Sequence, residues 1–98
     1  MNLYSIHCGF YDSEISDGIY ESHVNFFVAA ETPEDARAKA KEIPEFQVRK
    51  MHVDGVQQIA VVNGHRVQMI RDESLEPTTM TIISHRHRDL APKKPASI

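Results

Sequence analysis

Two acid–histidine pairs carry the chemistry this sequence can offer: Glu21-x-His23 in "YESH" and His52-x-Asp54 in "MHVDG". On an extended strand residues i and i+2 point to the same side. Each pair therefore presents a carboxylate and an imidazole about 7 Å apart along one face. Two histidines and two carboxylates suit Zn²⁺ or another first-row divalent metal. The same groups can form a His–carboxylate dyad for general-base work. Neither use has a defining spacing here, unlike a His-Glu-x-x-His helix. The plain alternative is that all four are solvent-facing strand residues that pair across a sheet. Convergence requires the two strands to be neighbours.

Other groups are weaker candidates. Cys8 would need a base and an electropositive setting to be a nucleophile. Its neighbour His7 points to the opposite strand face, so a buried structural thiol is the simpler reading. His85-x-His87 lies in a basic tail, where such pairs bind metal weakly or not at all. Asp12, Glu14 and Asp17 alternate in a glycine-bracketed segment, but the EF-hand pattern with its closing Glu is absent. There is no P-loop, no dinucleotide-binding glycine fingerprint, no Gly-x-Ser-x-Gly and no Cys-x-x-Cys.

The elements that must position these residues follow from periodicity and turn chemistry. "NLYSIHC" alternates, with Tyr4, Ile6 and Cys8 on one face, and reads as a first strand. Residues 9–18 read as a long exposed loop between Gly9 and Gly18. Ile19 to Ala30 read as a second strand, with Tyr20, Val24, Phe26, Val28 and Ala30 on one face and Glu21, His23 and Asn25 on the other. "TPEDARAKAKEIP" is a helix: Thr32 caps it, Pro33 suits the first position, and Glu34 and Asp35 favour the positive end of the dipole. Pro44 ends it. "QVRKMHVDG" reads as a third strand, with a bulge or bend at Gly55. "VQQIAVVNGHRVQMIR" reads as a hairpin, because Asn63-Gly64 suits a type I′ turn. That register pairs Val62 with His65, Ala60 with Val67 and Gln58 with Met69. "TTMTIISH" can add an edge strand or swap onto a neighbour. From Arg86 the Pro, Lys and Ser content suggests a disordered tail.

The expected architecture is α+β, with one helix on a mainly antiparallel sheet of four to five strands. The order is β-β-α-β-β, with an optional C-terminal strand. Residues 1–84 form a single domain and 85–98 a flexible basic tail. Both faces of the hairpin are partly apolar, so Ile59, Val61 and Ile70, beside Arg66, are a candidate homodimer face.

Composition sets outer limits. The chain has 98 residues, one domain's worth, with 41% hydrophobic and 26% charged residues. No apolar run approaches the roughly 18 residues of a membrane span, and no membrane partner is expected. The first ten residues lack a basic region and a long apolar stretch, so no signal peptide is expected. One cysteine permits no internal disulfide and fits a reducing cytoplasm. The net charge of −3 argues against nucleic acid. No Lys or Arg precedes Arg37, whereas Arg86, Arg88, Lys93 and Lys94 crowd the end. Such a tail can touch an acidic partner.

The series Leu3-Tyr4, Gly9, Glu21-x-His23, "FFVAA", an alanine-rich helix, "HVDG" and "VVNGHRV" resembles a small bacterial family catalogued as domain of unknown function number fifteen forty-three. The resemblance covers roughly residues 3–70. The chain departs from the pattern at Phe10, where a second glycine is expected, and at Val24, where an acid is expected. It departs again at 44–46, where only Phe46 remains of an aromatic pair, and at His65, which replaces a tyrosine. The resemblance implies a compact bacterial α+β module with Glu21, His23, His52 and Asp54 as recurrent polar positions, and it implies no activity.

These readings favour a cytoplasmic binding or interaction module, dimeric with itself or paired with another protein, over an enzyme. No cofactor is assigned beyond a divalent metal. The first alternative is a metal-binding protein, Zn²⁺ included, using Glu21, His23, His52 and Asp54. The second is a regulatory protein whose basic tail contacts nucleic acid.

Overall fold

Tyr4, Ile6, Cys8 and Phe10 alternate with more polar residues and are all buried, and this alternation defines the central strand β1, Asn2–Tyr11. The computed structural model describes residues 1–90 and 92. β1 is flanked by β2, Glu21–Ala30, and β3, His52–Gln58, in the sheet order β2-β1-β3, with both pairings antiparallel. The fold is α+β, as its alternating strand patterns suggest. Its main sheet has three strands where four to five are expected from the sequence.

One face of this sheet is covered and the other is open. Helix α2, Pro33–Lys41, connects β2 to β3 and packs on the covered face with fully buried Ala36 and Ala40. Its start follows local chemistry: Thr32 Oγ1 accepts the Asp35 N–H at 3.1 Å, Pro33 opens the first turn, and Glu34 and Asp35 sit at the positive end. Lys39 Nζ donates to the Ala29 carbonyl at 2.6 Å and ties the helix to β2. Small alanines let the helix approach closely. Tyr4, Ile6 and Cys8 fill the space beneath it.

Pro44 does not simply end the helical region. It opens a second, short helix, α3, Pro44–Val48, which drives Phe46 into the core. A proline ring is pre-set for a first helical turn, and here that wins over the strand suggested by "QVRK". The end of α3 is a full Schellman motif. Met51 N–H donates to Phe46 O at 3.0 Å and Lys50 N–H to Gln47 O at 3.2 Å. Lys50 takes the left-handed conformation, φ 51°, that a glycine normally occupies there. β3 therefore starts at His52, five residues later than the alternation suggests.

The segment after β1 is also shorter than a Gly9–Gly18 loop. β1 runs straight through Gly9 and Phe10, because Phe10 belongs to the core. A single helical turn, α1, Ser13–Ser16, follows, with Asp12 Oδ1 accepting the Glu14 N–H at 2.8 Å. Arg49 Nη1 donates to Asp12 Oδ2 at 2.8 Å and its guanidinium lies 4.9 Å from the centre of the Phe10 ring. Asp12 thus caps a turn and pairs with arginine, which accounts for its carboxylate.

The hairpin forms around Asn63-Gly64, with both residues left-handed at φ 49° and 77°. Its strands β4, Val61–Val62, and β5, His65–Arg66, pair Val62 with His65, and Val67 N–H reaches Ala60 O at 2.9 Å. The hairpin stands apart from the main sheet. Gln58 pairs with Tyr4 on β1 instead of Met69, and Ile59 N–H makes a last bond to Leu3 O at 2.9 Å before the chain leaves β1. No further strand forms among the described residues, so "TTMTIISH" adds none to the sheet. A 3₁₀ turn, His87–Leu90, occurs in the tail; Lys93 and Lys94 lie outside the described residues. The radius of gyration, 17.9 Å, exceeds the roughly 13 Å of a compact domain of this length.

Candidate metal centre

The open face of the sheet carries the outward residues of all three strands. On β2 these are Glu21, His23 and Asn25; on β1, His7 and Gly9; on β3, His52 and Asp54. β2 and β3 are not neighbours. β1 lies between them, which puts their backbones roughly 9–10 Å apart. The two acid–histidine pairs nevertheless meet, because Gly9 stands opposite His23 on one side and His52 on the other. A Cβ on Gly9 would fall on Glu21 Oε1, and would lie 2.7 Å from His52 Nε2 and 2.9 Å from Asp54 Oδ2. The missing side chain is the space in which the polar groups converge.

A bulge in β3 completes the arrangement. Val53 is opposite Cys8 and Gly55 opposite His7, so Asp54 is one residue too many for the ladder. Bulges bend a strand and re-aim side chains. This one brings the Asp54 carboxylate in over Gly9, while Val53 still packs against the core.

The resulting contacts are short. His52 Nε2 is 2.7 Å from Glu21 Oε1 and 3.2 Å from Asp54 Oδ1. His23 Nε2 is 3.3 Å from Glu21 Oε1 and 3.5 Å from Asp54 Oδ2. Side-chain exposure runs from 29% for Glu21 to 47% for His52, so a solute can reach the cluster directly. All four residues singled out by spacing are thus brought together.

Two further residues belong here that spacing alone did not single out. The His7 ring stacks on His23, with centroids 4.8 Å apart and planes 9° from parallel. His7 Nδ1 lies 2.7 Å from Asn25 Oδ1. That oxygen only accepts, so Nδ1 carries a proton, and in the neutral ring Nε2 holds the lone pair. The signal was present, since His7 precedes Gly9 by two residues on the same strand face. It becomes meaningful only once β1 is known to be the central strand.

Among the described residues, metal-ligand atoms close to within 4.8 Å of one another in two sets, Glu21/His52/Asp54 and His7/His23/Asp54. Neither includes His85, His87 or the acids of residues 12–17. Cys8 is on the covered face, fully buried, and burial pushes its thiol pKa up, with a further rise from the Asp54 carboxylate. It is a core residue and no ready nucleophile.

Of the candidate dimer residues, Val61 and Arg66 are cross-strand partners in the hairpin. Ile59 is half-buried beside β1, whereas Val61, Arg66 and Ile70 are exposed. No helix among the described residues is long and apolar enough to cross a membrane.

No protein-family model, curated protein or solved structure matches this chain. The functional reading therefore rests on the geometry of the open face.

Proposed function

We propose that this protein binds a divalent transition metal, with Zn²⁺ the best-suited ion, through Glu21, His23, His52 and Asp54. The observation that carries this reading is the convergence of two imidazole nitrogens and two carboxylates over Gly9. Ligand atoms held about 2.0–2.1 Å from a tetrahedral ion stand about 3.3 Å from each other. The His52–Asp54 Oδ1 and His23–Glu21 contacts of 3.2 and 3.3 Å are close to that edge length, and the 3.5 Å contact from His23 runs to the other Asp54 oxygen. The 2.7 Å pair is the hydrogen bond His52 makes to Glu21, whose proton a metal would replace. A mixed nitrogen–oxygen donor set favours zinc and its neighbours over calcium or magnesium. Calorimetry on chelator-treated protein tests this reading: Zn²⁺ binding that His52→Ala weakens at least tenfold is expected, and binding indifferent to that change would overturn it.

A second reading, a homodimeric interaction module, is favoured by a different observation. Ile70, Leu75, Met80, Ile82 and Ile83 are all more than half exposed on a segment that joins no sheet. Exposed apolar side chains gain by packing on another copy. In light scattering a dimer is expected, with Ile83→Asp shifting it toward monomer. A monomer at all concentrations would remove this reading.

A further inference from the structure

We infer that the cluster holds two metal ions bridged by Asp54. This inference rests on the metal-binding reading and deepens it. The two ligand sets on the open face share one residue, Asp54. Its two oxygens already divide between them: Oδ1 faces His52 at 3.2 Å and Oδ2 faces His23 at 3.5 Å. A carboxylate placed this way can bind one ion through each oxygen. Paired ions in protein sites typically sit about 3.5–4 Å apart.

The first centre takes Glu21, His52 and Asp54 Oδ1. The second takes His7, His23 and Asp54 Oδ2. Each offers three protein ligands, the number that leaves a further position for water or substrate. Asn25 is a positioning residue for the second centre. By accepting a hydrogen bond from His7 Nδ1–H at 2.7 Å it favours the neutral tautomer with the lone pair on Nε2. His7 stacks face to face on His23, with the two rings in nearly parallel planes. A second ion would need the rings to turn out of that stack so that the lone pairs converge. His23, which touches both Glu21 and Asp54, can complete the first centre until the second ion arrives.

The test is native mass spectrometry of the full chain, carrying His85→Ala and His87→Ala to remove tail binding, after titration with Zn²⁺. Two ions per chain are expected, falling to one with His7→Ala while the amide spectrum stays that of a folded protein. Mn²⁺ loading checks adjacency, since two ions sharing a carboxylate give a spin-coupled paramagnetic resonance spectrum. One ion per chain with or without His7, or two uncoupled manganese ions, would overturn the bridged pair and leave the single-metal reading standing. No ion bound would overturn both.

Discussion

His52 and Glu21 lie on strands that do not touch, yet His52 Nε2 sits 2.7 Å from Glu21 Oε1. They meet across β1, over the backbone of Gly9. The site is built as much by this absent side chain as by the residues that fill the gap.

Gly9→Ala is therefore predicted to separate folding from binding. The new methyl would collide with Glu21, His52 and Asp54, but only at the far ends of side chains that can swing away. Glycine in a strand interior is itself mildly destabilising. The folding free energy is expected to change by no more than about 1 kcal/mol, while Zn²⁺ affinity drops at least tenfold. Denaturant melts alongside calorimetry would show whether the two effects part in this way.

Lys50 offers a test of the local fold just ahead of His52. It holds the left-handed position of the Schellman motif after α3, at φ 51°. Side chains resist this conformation and glycine does not. Lys50→Gly is expected to stabilise the protein by about 0.5–1 kcal/mol, or a few degrees in Tm. A loss of stability would mean the lysine side chain contributes more than its backbone costs.

Cys8 should be slow to react. Its thiol pKa is raised by burial and by the nearby Asp54 carboxylate, so the thiolate is scarce near neutral pH. Labelling with a thiol reagent is expected to be slow in the native protein and fast once urea unfolds it. Raising the pH should speed native labelling only as far as opening of the core allows. Rapid native labelling would contradict the buried placement.

Much of this arrangement was legible in the residues themselves. Period-two alternation put Glu21 with His23, and His52 with Asp54, on shared faces. Thr32-Pro33 marked the start of α2, and Asn63-Gly64 the hairpin turn. Strand order was not legible, because it depends on which edges pair and no local pattern encodes that. Gly9 consequently read as the start of a loop, when its place is mid-strand under the cluster. His7 was missed for the same reason. "QVRK" carried the alternation of a strand, but burying Phe46 and the pre-set ring of Pro44 favoured a short helix. "TTMTIISH" has the composition of a strand and finds no partner within the described residues of its own chain.

A ¹⁵N-amide NMR titration of metal-free protein with Zn²⁺, reversed by EDTA, reports on whether the cluster over Gly9 is a metal site. Shifts centred on Gly9, Glu21–His23 and His52–Asp54 that saturate at a whole number of equivalents are expected of a metal site there. Shifts confined to His85 and His87, or an unmoved spectrum, would contradict it.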